Sequence, residues 1–233
     1  MREIQDQEQL QHFLHLHQLE SILYEPLRPH LSLHRLEQGE KLCSQGDTIE
    51  HLYILVQGKV KIYTSSTEGK NLILCFKKPI EVIGDVEYIR SSHVINTVEA
   101  VSPIYVIGIH HQWMHKYGRD YAPLLQFLLD VVTRKFCLDS DFSNFNLMYP
   151  VEVRLASYLL SVSFEESDSA FHEELRVSSL VDVANLIGTS YRHLNRVIRK
   201  MIEGWVERTK GYIVIRDRQG LSELAGQNIY ESL

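Results

Sequence analysis

The side chains of this chain best suited to recognition chemistry are Tyr191, Arg192, Asn195, Arg196 and Arg199, whose spacing gathers them on one face of a helix. A guanidinium matches the paired acceptors of guanine, an amide matches adenine, and none of the five is an activated nucleophile. The set therefore points to contact with base edges rather than to bond making. Ser190 stands where it can cap the same helix, and with Arg199, Lys200, Arg208 and Lys210 it supplies donors suited to phosphates.

Positioning that face requires a particular local fold. Ala184 is small where two helices must approach, and Gly188 tolerates the positive φ of a sharp turn. Leu180, Val183, Ile187, Leu194, Val197 and Ile198 fall on the facing sides, so residues 178–201 spell a helix-turn-helix. Paired amphipathic helices are also an ordinary packing unit. The next segment of chain separates the two readings: Trp205 to Ile215 forms two β-prone runs around Lys210-Gly211, a hairpin wing.

Other chemistries fit less well. His111 and His115 lie four apart, but such a pair without further ligands is usually solvated, and no metal is expected. His15-Leu16-His17 has the spacing of cupin metalloenzymes, which keeps a metal-dependent small-molecule enzyme as the alternative. The motif lies in a helix-like segment rather than on a strand, which counts against it. Cys43, Cys75 and Cys137 are far apart, so neither a disulfide framework nor a zinc site is indicated, and buried free thiols in a reducing cytoplasm are expected.

Across 233 residues the chain is 44% hydrophobic and 23% charged, enough for two modest domains with their own cores. No apolar run reaches membrane-spanning length and the N-terminus is polar, so a cytoplasmic protein is expected. The net charge of −6 conceals an uneven distribution, for Gly188 to Arg218 carry eight basic residues against three acidic. A nucleic-acid face needs only that local field. The acids of Glu165-Glu166-Ser167-Asp168 and Glu173-Glu174 read as a solvated loop.

Residues 31–112 have a different pattern. Leu31–Leu36, Lys41–Cys43, Leu52–Val56, Lys59–Thr64, Leu72–Phe76, Val82–Ile83, Ile95–Ala100 and Ile104–Ile109 are expected strands between glycine turns, which suggests a jelly-roll barrel. Residues 3–24 have helical composition. Farther on, Leu124, Leu128, Val131, Lys135, Leu138, Phe142 and Phe145 alternate steps of four and three, the seam of a dimerisation helix. Leu125, Phe127, Leu129 and Val132 add apolar surface on other faces, so one face can pack on the barrel while the seam meets a partner. Pro150 ends that helix, and Val151–Ser161 begins the next.

The order of barrel, long helix and winged helix-turn-helix resembles the CRP/FNR superfamily of bacterial transcription regulators. Leu36-Glu37-Gln38-Gly39-Glu40-Lys41-Leu42, Gln45-Gly46-Asp47, Leu52 to Val60, Glu68-Gly69-Lys70 and Ile83-Gly84-Asp85 carry the likeness to its cyclic-nucleotide-binding fold. Gly188-Thr189-Ser190-Tyr191-Arg192-His193-Leu194 is similar to the YeiL-type branch. The resemblance implies an α+β chain: a sensor barrel over 1–112, a dimerisation helix over 113–148 and a DNA-binding domain over 149–233. It implies a homodimer on a two-fold site in double-stranded DNA, with RNA polymerase as a further partner if the protein activates.

It does not imply cyclic AMP. Members that bind it place an Arg-Ser or Arg-Thr about ten residues after a Gly-Glu pair, whereas here Val94-Ile95-Asn96 comes after Gly84-Asp85. Arg90 comes too early, and Glu81, Asp85 and Glu87 would repel a phosphate. Cluster-binding members use cysteines near the N-terminus, and none precedes Cys43. The expected regulator thus answers to another effector or to none, a nucleotide-responsive one being the second alternative, and no cofactor is expected.

Overall fold

The structure is a computed structural model describing residues 1–66, 71–162, 175–176, 180–202, 204–209 and 212–226. It divides into two compact units, Met1–Ser65 with Phe76–Phe136 and Ser66–Cys75 with Cys137–Leu233.

Among the described residues the first part of the chain carries nine strands: β1 (Arg2–Ile4), β2 (Leu31–Leu36), β3 (Lys41–Cys43), β4 (His51–Gln57), β5 (Val60–Ser65), β6 (Asn71–Lys77), β7 (Glu81–Ile83), β8 (Thr97–Ala100) and β9 (Ile104–His110), of which β6 lies mostly in the second unit. They form two sheets, ordered β1-β2-β9-β4-β7 and β3-β8-β5-β6. The expected barrel is thus two open sheets. The central strand β4 reads as a nearly continuous apolar run because both of its faces are covered. Leu52, Ile54 and Val56 turn toward one core, Tyr53 and Leu55 toward the other.

The second core lies between the sheets and includes Leu36, Val60, Ile83, Val98 and Val106. The first core is roofed by α1 (Gln7–Leu16), through Leu10, Phe13 and Leu14, and by Leu124, Leu128 and Val131 of the long helix α4 (Ala122–Met148). The segment expected to be helical from residue 3 begins instead as a strand, Arg2 to Ile4 pairing with Arg35 to Leu33. Asp6 caps α1 by accepting from the Gln9 amide at 2.9 Å. Two short helices complete the unit, α2 (Asp85–Arg90) and α3 (His111–Trp113), the latter running into a π-turn at Met114–Gly118.

The second unit holds α5 (Val151–Val162), α6 (Leu180–Leu186), α7 (Tyr191–Met201) and α8 (Arg218–Ala225). Its sheet is ordered β10-β12-β11, from β10 (Leu175–Arg176), β11 (Val206–Thr209) and β12 (Tyr212–Ile215). The two-stranded wing read from the sequence therefore has a third strand. Residues 71–75 also belong here, the Tyr158 hydroxyl donating to the Ile73 carbonyl at 3.3 Å.

Candidate nucleic-acid interface

α6 and α7 are held together by Leu180, Val183, Ala184, Ile187, Leu194, Val197 and Ile198, all buried, with Met201 added at the end of α7. Gly188 adopts φ +65 between them, as the turn requires. The Ser190 side chain accepts from the His193 amide at 3.2 Å and starts α7.

With the apolar side of α7 inward, its polar side is turned out. Ser190, Tyr191, Arg192, Arg196, Arg199 and Lys200 are exposed and Asn195 is half-buried. The Asn195 amide nitrogen donates to the Tyr191 carbonyl at 2.9 Å, so an adenine contact would exchange that bond for one to the base. His193 is exposed in the same first turn.

Arg208 is exposed on β11, while Lys210 lies outside the described residues. Register pairs Thr209 with Tyr212 in the wing. Arg216 is ion-paired with Glu207 across the wing, so part of the local positive excess is already neutralised. The acidic segments 165–168 and 173–174 lie outside the described residues.

The seam assigned to a partner is largely used within the chain. Leu124, Leu128 and Val131 are buried in the first unit, and Phe145 is buried in the second. Leu138 is half-buried, and the Phe142 side chain lies outside what is described. The face turned outward is displaced by one residue: Leu125, Leu129 (59% exposed) and Phe136 (72% exposed), with Val132 half-buried between them. Steps of four, three and four along those four residues repeat the seam pattern on a free surface.

Lys135 explains the displacement. Its ammonium lies 3.0 Å from both Asp85 carboxylate oxygens and from Glu81 Oε1, and donates to the Val82 carbonyl at 2.7 Å. Burial alone would lower its pKa, but the Asp85 and Glu81 charges outweigh that and hold it above the usual lysine value. Two of the three acids expected to repel a phosphate are therefore neutralised by a cation. The third, Glu87, accepts from the Ile95 amide at 3.1 Å. Val94 is buried where a phosphate-binding arginine was sought, and Arg90 is exposed at the end of α2. Gly84 enters α2 at φ +89, where an added Cβ would come 2.8 Å from the His51 carbonyl.

Several histidines have local partners. His17 bonds the Val56 carbonyl at 2.7 Å, His15 meets Glu20 at 3.3 Å, and His111 and His115 each lie 5.1 Å from the Tyr88 ring. Burial first, and neighbouring imidazoles next, lower the pKa of His51 and His111. Among the described residues no group of three or more His, Cys, Asp or Glu is arranged to hold a metal. Burial pushes the Cys43 thiol up to about 12, whereas Cys137 is exposed rather than buried as expected.

A β-sandwich with a helix-turn-helix after it, bearing an exposed basic face, defines a DNA-binding transcription regulator. Residues 33–119 match the cyclic nucleotide-binding domain family and residues 153–224 the Crp-like helix-turn-helix domain family. The chain is similar to the regulatory protein YeiL of Escherichia coli O157:H7, 25% identical over 79% of this chain and 81% of that one. It is also similar to the fumarate and nitrate reduction regulatory protein of Escherichia coli K12, 24% identical over 82% and 77%. A transcriptional regulator of the Crp/Fnr family from Eubacterium rectale shares the fold at a TM-score of 0.64, with 21% identity over 86% and 92% of the two chains. The c-di-GMP responsive global regulator CLP of Xanthomonas campestris does so at 0.58, with 20% identity over 82% and 96%. The chain belongs to the CRP/FNR superfamily of transcription regulators.

Proposed function

We propose that the protein acts as a homodimer that reads a two-fold DNA site through α7, with no catalytic step of its own. The observation that carries this is the division of α7 into a buried apolar side and an exposed side bearing Tyr191, Arg192, Asn195, Arg196, Arg199 and Lys200. Tyr191, Arg192, Asn195 and Arg196 face bases; Ser190, Arg199, Lys200, Arg208 and Lys210 hold phosphates. The protomers meet along Leu125, Leu129, Val132 and Phe136, since the neighbouring stripe is spent on the protomer's own core. Such a regulator works in the cytoplasm, and as an activator it would also touch RNA polymerase. No helix of the described residues is long and apolar enough to cross a membrane.

Replacing Arg196 with Ala should cost about 1–3 kcal/mol on a preferred duplex and little on random DNA. Replacing Arg208 should weaken both about equally and lower the salt slope by about 1. Fluorescence anisotropy at several salt concentrations reads both. Equal losses on the two duplexes for Arg196→Ala would remove it from base reading.

For the effector, we infer one other than cyclic AMP, or none. Val94 provides no cation for a cyclic phosphate, and the Lys135 ammonium is already engaged by Asp85 and Glu81. Calorimetry with cyclic AMP or cyclic GMP should register no micromolar binding. Micromolar binding abolished by changing Arg90 would overturn the inference.

A further inference from the structure

Beyond the side chains that face DNA, the turn joining α6 to α7 carries a polar clamp. A helix leaves its last carbonyls without partners inside the helix, and the turn that follows must satisfy them elsewhere. Here each has one. The Val183 carbonyl accepts from the Ile187 amide at 2.9 Å, Ala184 from Thr189 at 2.8 Å and Asn185 from Gly188 at 3.2 Å. The next three are taken by side chains: Leu186 accepts from Asn146 Nδ2 at 3.0 Å, while Ile187 and Gly188, the latter at 3.2 Å, accept from Arg154 Nη1.

Arg154 is only 7% exposed, on an α5 helix otherwise rich in apolar residues. Among the described residues no carboxylate pairs with it, so its charge is met by the carbonyl end of α6. Gly188 is fitted to this contact as well as to its positive φ, since an added Cβ would lie 3.1 Å from Arg154 Nη1. Ser190, two residues on, starts α7. No freely rotating link separates the clamped carbonyls from the helix that carries the reading side chains.

We infer that Asn146 and Arg154 are positioning residues for sequence readout: without touching DNA, they set the direction in which α7 presents Arg192 and Arg196. This rests on the DNA-reading function proposed above. Phosphate contacts tolerate small rotations of a helix, whereas paired bonds to a base edge do not. The clamp should therefore govern discrimination between sequences more than affinity for DNA in general.

The test uses the full chain and two duplexes: the sequence that the wild-type protein selects from random DNA and a scrambled duplex of the same length. Asn146→Ala should lower affinity for the selected duplex about fivefold, the worth of one hydrogen bond, and leave the scrambled one within about twofold. Arg154→Met should lower the ratio of the two affinities about a hundredfold, and Arg154→Lys, which keeps the charge and a donor, should recover part of it. If Arg154→Met does not fold, Asn146→Ala and Arg154→Lys carry the test. Equal losses on both duplexes, or none on either, in those two variants would overturn the clamp. A wild-type chain that selects no sequence would instead sink the DNA reading, and the clamp with it.

Discussion

Lys135 and Arg154 are both buried or half-buried cations, each supporting a short helix that begins or ends at a positive-φ glycine, yet they are satisfied in opposite ways. Lys135 meets two carboxylates beside Gly84, whereas Arg154 meets backbone carbonyls beside Gly188. A charge met by charge ties α2 to α4 within the first unit. A charge met by helix dipoles fixes direction and leaves the outer surface free for a partner. The same kind of residue thus braces one region and arms the other.

The Lys135 pair can be broken on its own. Lys135→Met leaves Asp85, 2% exposed, as an unpaired buried charge and should cost about 3 kcal/mol of stability in urea unfolding. Adding Asp85→Asn should restore part of the loss, because the orphaned charge is removed with its partner. A loss below about 0.5 kcal/mol would place the pair among weak surface bridges instead.

Next come the two faces of α4. Leu128→Asp puts a charge into the first unit's core and should prevent stable folding. Leu129→Asp, on the outward stripe, should leave the fold intact and shift the protein toward monomer in sedimentation, with DNA binding falling in step. A dimer that survives Leu129→Asp and Phe136→Asp together would place the interface elsewhere.

That contrast also marks what the sequence makes legible. Glycine turns and alternation placed β2 and β3 at their observed limits, and the other six expected strands within two residues at either end, because period and punctuation report local backbone demands directly. Part of the seam packs inside its own unit for a physical reason: α4 carries two overlapping repeats, 124/128/131/135 and 125/129/132/136, and spacing alone does not say which one its own subunit covers. Lys135 held the missing signal, since a lysine at an inward position needs acids, and Glu81 and Asp85 were already in view. β10 escaped notice because two residues in a polar stretch have no periodicity. Arg154 was overlooked because its partners are carbonyls, which leave no trace in side-chain pattern.

The central claim is that the exposed face of α7 reads bases, and Arg192 tests it most directly. An arginine can only donate, most naturally to guanine O6 and N7, whereas a glutamate there accepts from cytosine. Selection from random duplex DNA should give the wild-type protein a two-fold site with half-sites about one helical turn apart, and Arg192→Glu should change bases within each half-site while keeping the spacing. The same preferred sequence from both proteins would contradict base reading by Arg192, and no enrichment from the wild type would contradict the account as a whole.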